Sequence, residues 1–307
     1  MKKRILLTGA TGFFGSFLAK ALVSKGYQLV VLKRKRSSLR RIESILPVIA
    51  LYDIEKLDFS IPFKSHGVID TVIHTATCYG RNGETAMEIF DANSAFPLRL
   101  LEAAIFFNTD TFFNTDTFFN TKPFLNANPI LYQYLNEYML SKRHFSEWGK
   151  QFANNNKIRF VNISLPHMYG PDDDVSKFTS HIIKSCLANE PEIKLTLGNQ
   201  KRDFVYIDDV IAAYEILLEN TDLQEELYCE YNVGSGKTIT IREFVETVHQ
   251  LSHSTSHLDF GALPYRNNEI MNSEIDIERM MLLGWRCQTK LADGIMKIMR
   301  YEKEFQK

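Results

Sequence analysis

The sequence predicts an α/β protein in which a doubly wound parallel β-sheet is joined by a smaller α+β region. Two observations predict this class. Short apolar segments typical of buried strands alternate with segments of helical periodicity through the first half of the chain. A cluster of glycines also follows the first apolar segment directly, at the place where such sheets turn from strand into helix.

The predicted strands are short and apolar, as strands buried in a parallel sheet are. In chain order they cover residues 4–8, 27–33, 48–51, 71–74, 111–113 and 158–163. Helical patterns lie between them, at about residues 16–25, 92–105 and 132–153. This alternation favours parallel strands with helices on both faces of the sheet.

Beyond Pro166 the alternation weakens, and several shorter elements lead to a predicted final helix at about residues 290–305. We therefore expect a sheet domain over residues 1–165, rejoined by about 203–235. The smaller α+β region would be built from residues 166–202 and 236–307, over the carboxyl edge of the sheet.

The composition excludes several classes of protein. Of the 307 residues, 45% are hydrophobic and 24% are charged, which is not the balance of a disordered, collagen-like or disulfide-rich chain. A net charge of -1 gives no basic excess for binding nucleic acid or an anionic membrane. The four cysteines form no CxxC pair and fit a reducing cytoplasm, and no cluster has metal-ligand spacing.

The sequence also argues against export and membrane insertion. The apolar run after the basic N-terminus is broken at once by Thr8 and Gly9, so we expect no signal peptide. No apolar stretch reaches the roughly 20 residues that a membrane-spanning helix needs. We therefore expect a cytoplasmic protein.

The segment TGATGFFG (8–15) follows the first strand and opens the first helix. Glycines in this place allow a tight turn, close approach of the backbone to a pyrophosphate, and close packing of the helix, whose free N–H groups attract phosphates. The sequence therefore predicts a Rossmann-type dinucleotide site, with a purely structural glycine turn as the alternative. The residues expected to contact the cofactor here are Gly9, Thr11, Gly12, Phe13, Phe14 and Gly15.

The end of the second strand indicates which dinucleotide binds. NAD sites usually place an acid there for the adenosine ribose, but this chain has the basic run 33–36 and no carboxylate. Guanidinium groups bind a 2′-phosphate well, so we expect NADP(H) to be preferred, with NAD(H) possible. Arg34 and Arg36 are the expected contacts, and a solvated charge run is the alternative.

Tyr138 and Lys142 form a Y-x-x-x-K pattern on a predicted helix, which places both side chains on one face, one turn apart. A free phenol has a pKa of about 10, and a neighbouring ammonium would lower it toward catalytic use. This pattern also arises by chance. Tyr52 and Lys56 form a second copy just after the third strand, where no reacting carbonyl is expected, so we interpret that copy as accidental.

The order of the motifs resembles the extended short-chain dehydrogenase/reductase family over essentially the whole chain. The matching segments are TGATGFFG, VIHTATCYG, the Tyr138–Lys142 pair, MYGPDDD, QKRDFVYIDDV and YNVGSGKTITIREF. Within that family the chain is most similar to bacterial CDP-3,6-dideoxyhexose synthases, which form CDP-abequose and CDP-paratose. The segments that carry this narrower resemblance are TCYGR (77–81), NTDTFF (114–119), SKRHF (141–145), VSKFTS (175–180) and NEIM (268–271).

The resemblance implies a third catalytic residue, a Ser or Thr after the fifth strand. A local repeat, FFNTDT at 106–111 and 112–117 followed by FFNT at 118–121, offers several candidates. Alignment of NTDTFF with the family's segment favours Thr115, with Thr117 as runner-up; the other candidates are Thr109, Thr111 and Thr121. Family dehydratases carry Thr-Asp-Glu here, whereas this chain has Thr115-Asp116-Thr117, so elimination chemistry is disfavoured.

The resemblance also implies contacts elsewhere in the chain. The further positions implied to line the cofactor are Asp53 and Ile54 near adenine, His74, Thr75 and Ala76 after the fourth strand, Asn93 in the following helix, and Pro166 and His167 beside the nicotinamide. Asn93 could equally be an ordinary helix-surface residue, and His167 a plain loop residue. The implied substrate contacts are Arg202 and Arg266 on the diphosphate, each of which could instead be a surface charge, and more weakly Lys177 and Phe178.

Together these features predict an NADPH-dependent reductase of a nucleotide-linked 4-keto sugar. The resemblance implies CDP-4-keto-3,6-dideoxyglucose as substrate, a product for O-antigen or other surface polysaccharide, and a homodimer formed through the two helices beside the active site. The sheet domain would hold NADP(H) and the smaller region the nucleotide sugar. A 4-epimerase that keeps its NAD bound and a non-catalytic NADP-binding regulator are the alternatives.

Overall fold

The computed structural model describes residues 3–116, 136–220, 226–266 and 269–305. Within these residues the chain divides into two compact units. The first contains residues 3–116, 136–164 and the described part of 217–231, and the second contains 165–216 and the described part of 232–305. The domain boundaries expected from the sequence stay a prediction.

The first unit alternates strands with helices. Its elements are β1 (Arg4–Thr8), α1 (Phe13–Ser24), β2 (Gln28–Lys33), a 3-10 helix (Arg40–Val48), β3 (Ala50–Asp53), α2 (Ser60–His66), β4 (Thr71–His74), α3 (Ala86–Phe90), a π-helical turn (Asp91–Ala95), α4 (Phe96–Phe106), β5 (Thr111–Asp116), α5 (Glu137–Asn154) and β6 (Arg159–Ser164).

The second unit carries shorter strands. Its elements, together with the two that cross between units, are β7 (His167–Tyr169), α6 (Phe178–Leu187), β8 (Glu192–Leu195), β9 (Lys201–Tyr206), α7 (Ile207–Glu219), β10 (Tyr228–Asn232), β11 (Thr238–Thr240), α8 (Ile241–Ser252), β12 (His257–Phe260), α9 (Glu278–Leu282) and α10 (Leu291–Phe305). Strands β11, β9 and β7 form a three-stranded sheet in that order, and β12 pairs with β8 in parallel.

The main sheet has seven strands in the order β10-β6-β5-β4-β1-β2-β3. Neighbouring strands from β3 to β6 pair in parallel. The strand order reverses between β1 and β4, where Thr8 and His74 are register partners at the carboxyl ends. Ligands of doubly wound α/β sheets bind at the carboxyl ends of the strands where the strand order reverses. The predicted fold class is confirmed.

Aromatic packing fixes α5 against the sheet. The rings of Phe112 on β5, Phe145 on α5 and Phe160 on β6 are fully buried, with centroids 5.7 to 5.9 Å apart. A Cβ added to Gly149 would lie 2.1 Å from the Phe160 ring, so glycine at this position permits the close approach of helix and strand. This packing fixes the position of α5 along the strands, and so determines which polar residues of α5 lie next to the end of β5.

Some element boundaries differ from the expected ones. The first helix begins at Phe13, because Gly12 already has the extended N-cap conformation. The third strand begins at Ala50, since Val48 completes a 3-10 helix that contains Pro47. Helix α5 begins at Glu137, and its predicted residues 132–135 lie outside the described residues. Helix α2, only seven residues long, was not expected from the periodicity.

Candidate active site

The glycines of the first loop are required by close backbone contacts. Gly9 has φ +78°, and a Cβ there would lie 2.4 Å from Thr75 Oγ1 and 2.6 Å from the Ala76 nitrogen. A Cβ on Gly15 would lie 2.2 Å from the Gly9 carbonyl oxygen. Any larger residue would therefore push the loop, α1 and the end of β4 apart.

The N-terminus of α1 suits an anionic ligand. Gly12 is its N-cap and offers no side-chain hydrogen bond, and the first turn carries no acidic residue. The side chains of Phe13 and Phe14 are buried, so these residues present only their backbone, while Thr11 is half-buried beside them. The positive end of the dipole of a 12-residue helix fits the diphosphate of a dinucleotide cofactor.

The basic run at the end of β2 meets two carboxylates, one at the end of β3 and one just beyond it, and the sequence did not predict these contacts. Asp53, the register partner of Lys33, forms an ion pair with its ammonium. Glu55 accepts from the Lys35 N–H through both oxygens, at 2.9 and 3.1 Å. The expectation that no carboxylate is available here was therefore wrong. Parallel pairing of β2 with β3 brings the end of β3, with Asp53, next to the end of β2.

Arg34 and Arg36 differ from their lysine neighbours. Both are exposed, and neither forms an ion pair with another described residue. The Ser37 N–H donates to the Arg34 carbonyl at 2.9 Å, so Arg34 begins a tight turn and Arg36 lies within it. Ile54 is half-buried and packs against the core.

Thr8 joins the two strands at the sheet's switch point. Its hydroxyl is 2.8 Å from His74 Nδ1 and accepts from the N–H groups of Thr75 and Ala76, both at 3.3 Å. The Thr75 hydroxyl donates to the Thr8 carbonyl at 2.7 Å. This network leaves Thr75 and Ala76 half-exposed at the carboxyl edge, as a cofactor-lining segment requires.

His74 is placed differently from its neighbours. Its ring is fully buried and lies 5.8 Å from the rings of both Phe96 and Phe145. Burial lowers the pKa of His74 well below its ordinary value, and the Lys142 ammonium lowers it further. Only the backbone of this residue is available to a cofactor.

Asn93 is fully buried in the π-helical turn, which excludes the helix-surface alternative. Its Nδ2 donates to the Cys78 carbonyl at 2.8 Å and to Ser141 Oγ at 3.0 Å, and its Oδ1 accepts from the Cys78 N–H at 2.8 Å. One amide therefore ties the segment after β4 to the first turns of α5. Such π-helical turns are frequent at functional sites.

The structure brings Lys142 to Thr115 at the carboxyl end of β5, and Tyr138 precedes Lys142 by one turn of α5. Asn136 caps α5 by accepting from the Met139 N–H at 3.0 Å, so Tyr138 lies in the first turn. Lys142 is buried, and its Nζ donates to the Thr115 carbonyl at 2.8 Å. The ammonium is thus held between the end of the strand and the face of α5 that carries Tyr138.

Among the described residues, Thr109, Thr111 and Tyr52 lie away from this site. Thr109 precedes β5 and Thr111 begins it, so both lie at the amino end of the strand. Thr117 and Thr121 lie outside the described residues. Tyr52 lies within β3, and its hydroxyl is 2.9 Å from His66 Nε2.

The remaining predicted residues lie in the second unit. Pro166 is buried, and His167 begins β7 with its ring 5.6 Å from that of Phe204. Lys177 forms an ion pair with Asp173 at 3.0 Å. Phe178 packs against Phe244, with ring centroids 5.8 Å apart.

The two arginines implied to bind diphosphate have contrasting surroundings. Arg202 is buried, pairs with Glu269 and donates to the carbonyls of Lys201 and Ile270 at 2.8 and 2.6 Å. Arg266 is exposed. The contacts of Arg202 tie β9 to the segment around residue 270.

A further aromatic residue lies beside Tyr138 and was missed. The ring of Tyr79 is 5.1 Å from that of Tyr138. The signal in the sequence was the TCYGR segment, which we used only as a mark of resemblance.

Within the described ranges, no group of three or more His, Cys, Asp or Glu side chains could hold a metal ion. No helix in the part of the chain that the structure describes is both long and apolar enough to cross a membrane.

The chain resembles known proteins in fold and in sequence. The UDP-glucose 4-epimerase of Thermotoga maritima, solved with UDP-glucose, superposes with a TM-score of 0.85 at 20% identity, covering 99% of this chain and 100% of that one. The UDP-glucuronic acid 4-epimerase of Bacillus cereus, solved with UDP-glucuronic acid and NAD, gives 0.84 at 24% identity, covering 98% and 99%. These likenesses concern the fold.

Sequence relatives narrow the assignment. The CDP-abequose synthase of Salmonella muenchen is 35% identical over 307 residues, which cover 97% of this chain and 98% of that protein. The CDP-abequose synthase of Salmonella typhimurium strain LT2 is 33% identical over 309 residues, covering 98% of each. A model of the NAD dependent epimerase/dehydratase family matches residues 5–234. The chain therefore belongs to the NAD dependent epimerase/dehydratase family, as the order of its motifs predicted.

Proposed function

We propose that the protein is an NADPH-dependent 4-ketoreductase that converts CDP-4-keto-3,6-dideoxyglucose into a CDP-3,6-dideoxyhexose, abequose or paratose. The observation that carries the proposal is the contact of Lys142 Nζ with the Thr115 carbonyl, on the same face of α5 as Tyr138. Sequence identity of 35% to a CDP-abequose synthase over nearly the whole chain supports the choice of substrate.

The side chains divide the work of reduction. Bound NADPH would supply a hydride to the ketone carbon. Tyr138 would donate its phenolic proton to the oxygen as negative charge develops there, and the Thr115 hydroxyl would hydrogen-bond that oxygen. Lys142 would stabilise the phenolate left on Tyr138 by its positive charge. One of its three N–H donors is fixed by the Thr115 carbonyl, which orients the other two.

The first unit fits the cofactor at three places. The glycine loop and the bare N-terminus of α1 would hold the diphosphate, and the segment at Thr75 and Ala76 would line the dinucleotide. Asn93 would act on the same segment through Cys78, and Lys142 would also hold the nicotinamide ribose. These assignments are supported by the close contacts of Gly9 and Gly15 and by the absence of a side-chain cap on α1.

NADP(H) is the proposed form of the cofactor because of the charges beside β2. Asp53 pairs with the Lys33 ammonium and Glu55 accepts from the Lys35 N–H, so neither carboxylate stands beside β2 without a donor from the basic run. Arg34 and Arg36 remain exposed beside them, and guanidinium groups bind phosphate in a bidentate manner.

We test the cofactor form with Arg34→Ala and Arg36→Ala, each compared with Lys20→Ala, an exposed control on α1. Losing a charge-assisted phosphate contact should weaken NADPH binding about tenfold. NADH binding should change by less than twofold, measured by fluorescence titration. Equal affinities of the unaltered protein for the two dinucleotides would refute the preference.

The activity is tested by NADPH oxidation against a panel of CDP-, dTDP- and GDP-linked 4-keto sugars, with product stereochemistry by NMR. We expect turnover with the CDP sugar and none in Tyr138→Phe, which keeps the ring and removes the proton. Turnover that persists in Tyr138→Phe would contradict the mechanism.

A nucleotide-sugar 4-epimerase is the second candidate, because the matching family model covers epimerases as well as dehydratases. It would be favoured if the purified protein carried tightly bound NAD and interconverted C4 epimers without net NADPH consumption.

A homodimer formed through α5 and its neighbouring helix is also proposed. The apolar side chains Met87, Phe90, Leu140 and Trp148 are exposed on α3 and α5, and the Phe90 ring lies 5.8 Å from that of His144 between them. Contiguous exposed apolar surface usually marks an interaction site. In a twofold dimer the same patch of both copies meets, so an apolar patch on two helices can be covered by its equivalent in a second copy of this chain.

A further inference from the structure

Two side chains, Tyr79 and Arg81, form a row with Tyr138, the proposed proton donor. The rings of Tyr79 and Tyr138 are 5.1 Å apart, inclined at 36°. The Arg81 guanidinium lies over the Tyr79 ring, 4.8 Å from its centroid. Tilted aromatic pairs and cations above aromatic faces both attract. Tyr79 therefore contacts Tyr138 on one side and is covered by a cation on another.

The backbone before Tyr79 is fixed by a buried group. Asn93 binds both the N–H and the carbonyl of Cys78, each at 2.8 Å. The same amide binds Ser141, whose hydroxyl in turn donates to the Tyr138 carbonyl at 2.8 Å. The buried Asn93 amide thus holds the backbone next to Tyr79 and, through Ser141, the backbone of Tyr138. The fold therefore fixes the positions of the two tyrosines relative to each other.

The residue after Tyr79 turns the chain back toward the ring. Gly80 has φ +68°, in the left-handed region that favours glycine. A Cβ at this position would lie 2.7 Å from Ile89 Cδ1. This tight reversal brings Arg81 over the ring two residues before it.

Tyr138 needs such support because of where it lies. It is the second residue of α5, in the first turn, and it is only half-buried. Helix termini have fewer intrahelical hydrogen bonds to hold them, and a misplacement of about 1 Å at a reacting group can cost about 100-fold in rate.

We propose that Tyr79 is a positioning residue that holds the ring of Tyr138 in the orientation for proton donation, and that Arg81 holds Tyr79 in place. The proposal rests on the proposed function, because it requires Tyr138 to be the proton donor. It assigns the role to the ring of Tyr79 and not to its hydroxyl.

The test measures kcat and KM for the CDP-4-keto sugar, the Kd for NADPH and the melting temperature. Tyr79→Ala should lower kcat at least tenfold, with KM and the NADPH Kd within about twofold. Tyr79→Phe keeps the ring and should restore kcat to within about twofold of the unaltered enzyme. Arg81→Gln should lower kcat about two- to fivefold, since only a partly exposed cation–π contact is lost.

Tyr27→Ala is the matched control. Tyr27 is a half-buried tyrosine just before β2, at the opposite edge of the sheet, and its truncation should leave kcat unchanged. Unaltered kcat in Tyr79→Ala would overturn the proposal. Inactive Tyr79→Phe would overturn it too, because the hydroxyl would then be the functional group, and a change confined to the NADPH Kd would make Tyr79 a cofactor contact.

Tyr138→Phe separates the two hypotheses. If it retains turnover, the proposed function fails whatever Tyr79 does. If it is inactive while Tyr79→Ala is fully active, only the positioning role fails.

Discussion

At the scale of single residues, His74 shows how a polar residue in a motif can serve packing. It follows the apolar TVI of β4 and begins the polar segment at the carboxyl edge. Its ring nevertheless lies among phenylalanine rings and bonds to Thr8. Its Nε2 has no hydrogen-bond partner among the described residues, so an imidazolium there would have an N–H without an acceptor. The folded protein therefore keeps this residue neutral.

This predicts a pH dependence of stability. Because burial lowers the folded-state pKa of His74 well below 6.5, the unfolded chain binds a proton that the native protein does not as pH falls below about 6.5. Stability should therefore fall on acidification, by at most about 1.4 kcal/mol per pH unit from this group. In His74→Phe the slope of unfolding free energy against pH between 6.5 and 5 should be shallower, measured by urea denaturation. Equal slopes in the unaltered protein and in His74→Phe would contradict the prediction, even if the two proteins differ in stability at every pH.

At the scale of elements, the long helical segment before β5 is interrupted where the site needs it. A capping box of Thr85 and Glu88 begins α3, and a π-helical turn then separates α3 from α4. The extra residue in that turn directs Asn93 inward instead of toward solvent. Periodicity predicts a helix here, but it cannot distinguish an α from a π turn, because the difference arises from hydrogen bonds made across to Cys78 and Ser141.

Removal of the Asn93 amide should be costly for stability and activity together. Asn93→Ala leaves the Cys78 N–H and carbonyl without their partner, and each buried unsatisfied group costs about 1 to 3 kcal/mol. We expect a loss of about 2 kcal/mol or more in the free energy of unfolding by urea denaturation. Asn82→Ala, in the exposed loop nearby, is the control and should change it by less than about 0.5 kcal/mol. The prediction would be wrong if Asn93→Ala lowered the free energy of unfolding no more than Asn82→Ala does. Water would then replace the hydrogen bonds of the amide.

At the scale of the whole molecule, the exposed apolar face of α3 and α5 is unlike the rest of α5, which packs on the sheet. Leu140 and Trp148 lie two turns apart and so share one face. Tyr138, the proposed proton donor, is on the same helix, so dimerisation would link the stability of the site to assembly.

The dimer is tested by introducing charge on this face. Leu140→Asp combined with Trp148→Glu should lower the mass in solution from that of two chains to the 35.5 kDa of one, measured by light scattering during gel filtration. Leu282→Asp, at an 80% exposed leucine of α9, is the control and should leave the mass unchanged. An unaltered protein with the mass of one chain would refute the dimer.

The sequence by itself determined the fold class, the glycine turn between β1 and α1, and the Y-x-x-x-K pair, because each depends on local spacing: strand and helix periodicity, glycine positions, and side chains one helical turn apart. The tertiary structure alone decided which residues meet across the chain. It placed Asp53 and Glu55 beside the basic run, buried His74, turned Asn93 inward and set Tyr79 against Tyr138. These contacts depend on strand order and register, and residues tens of positions apart carry no local pattern that records them.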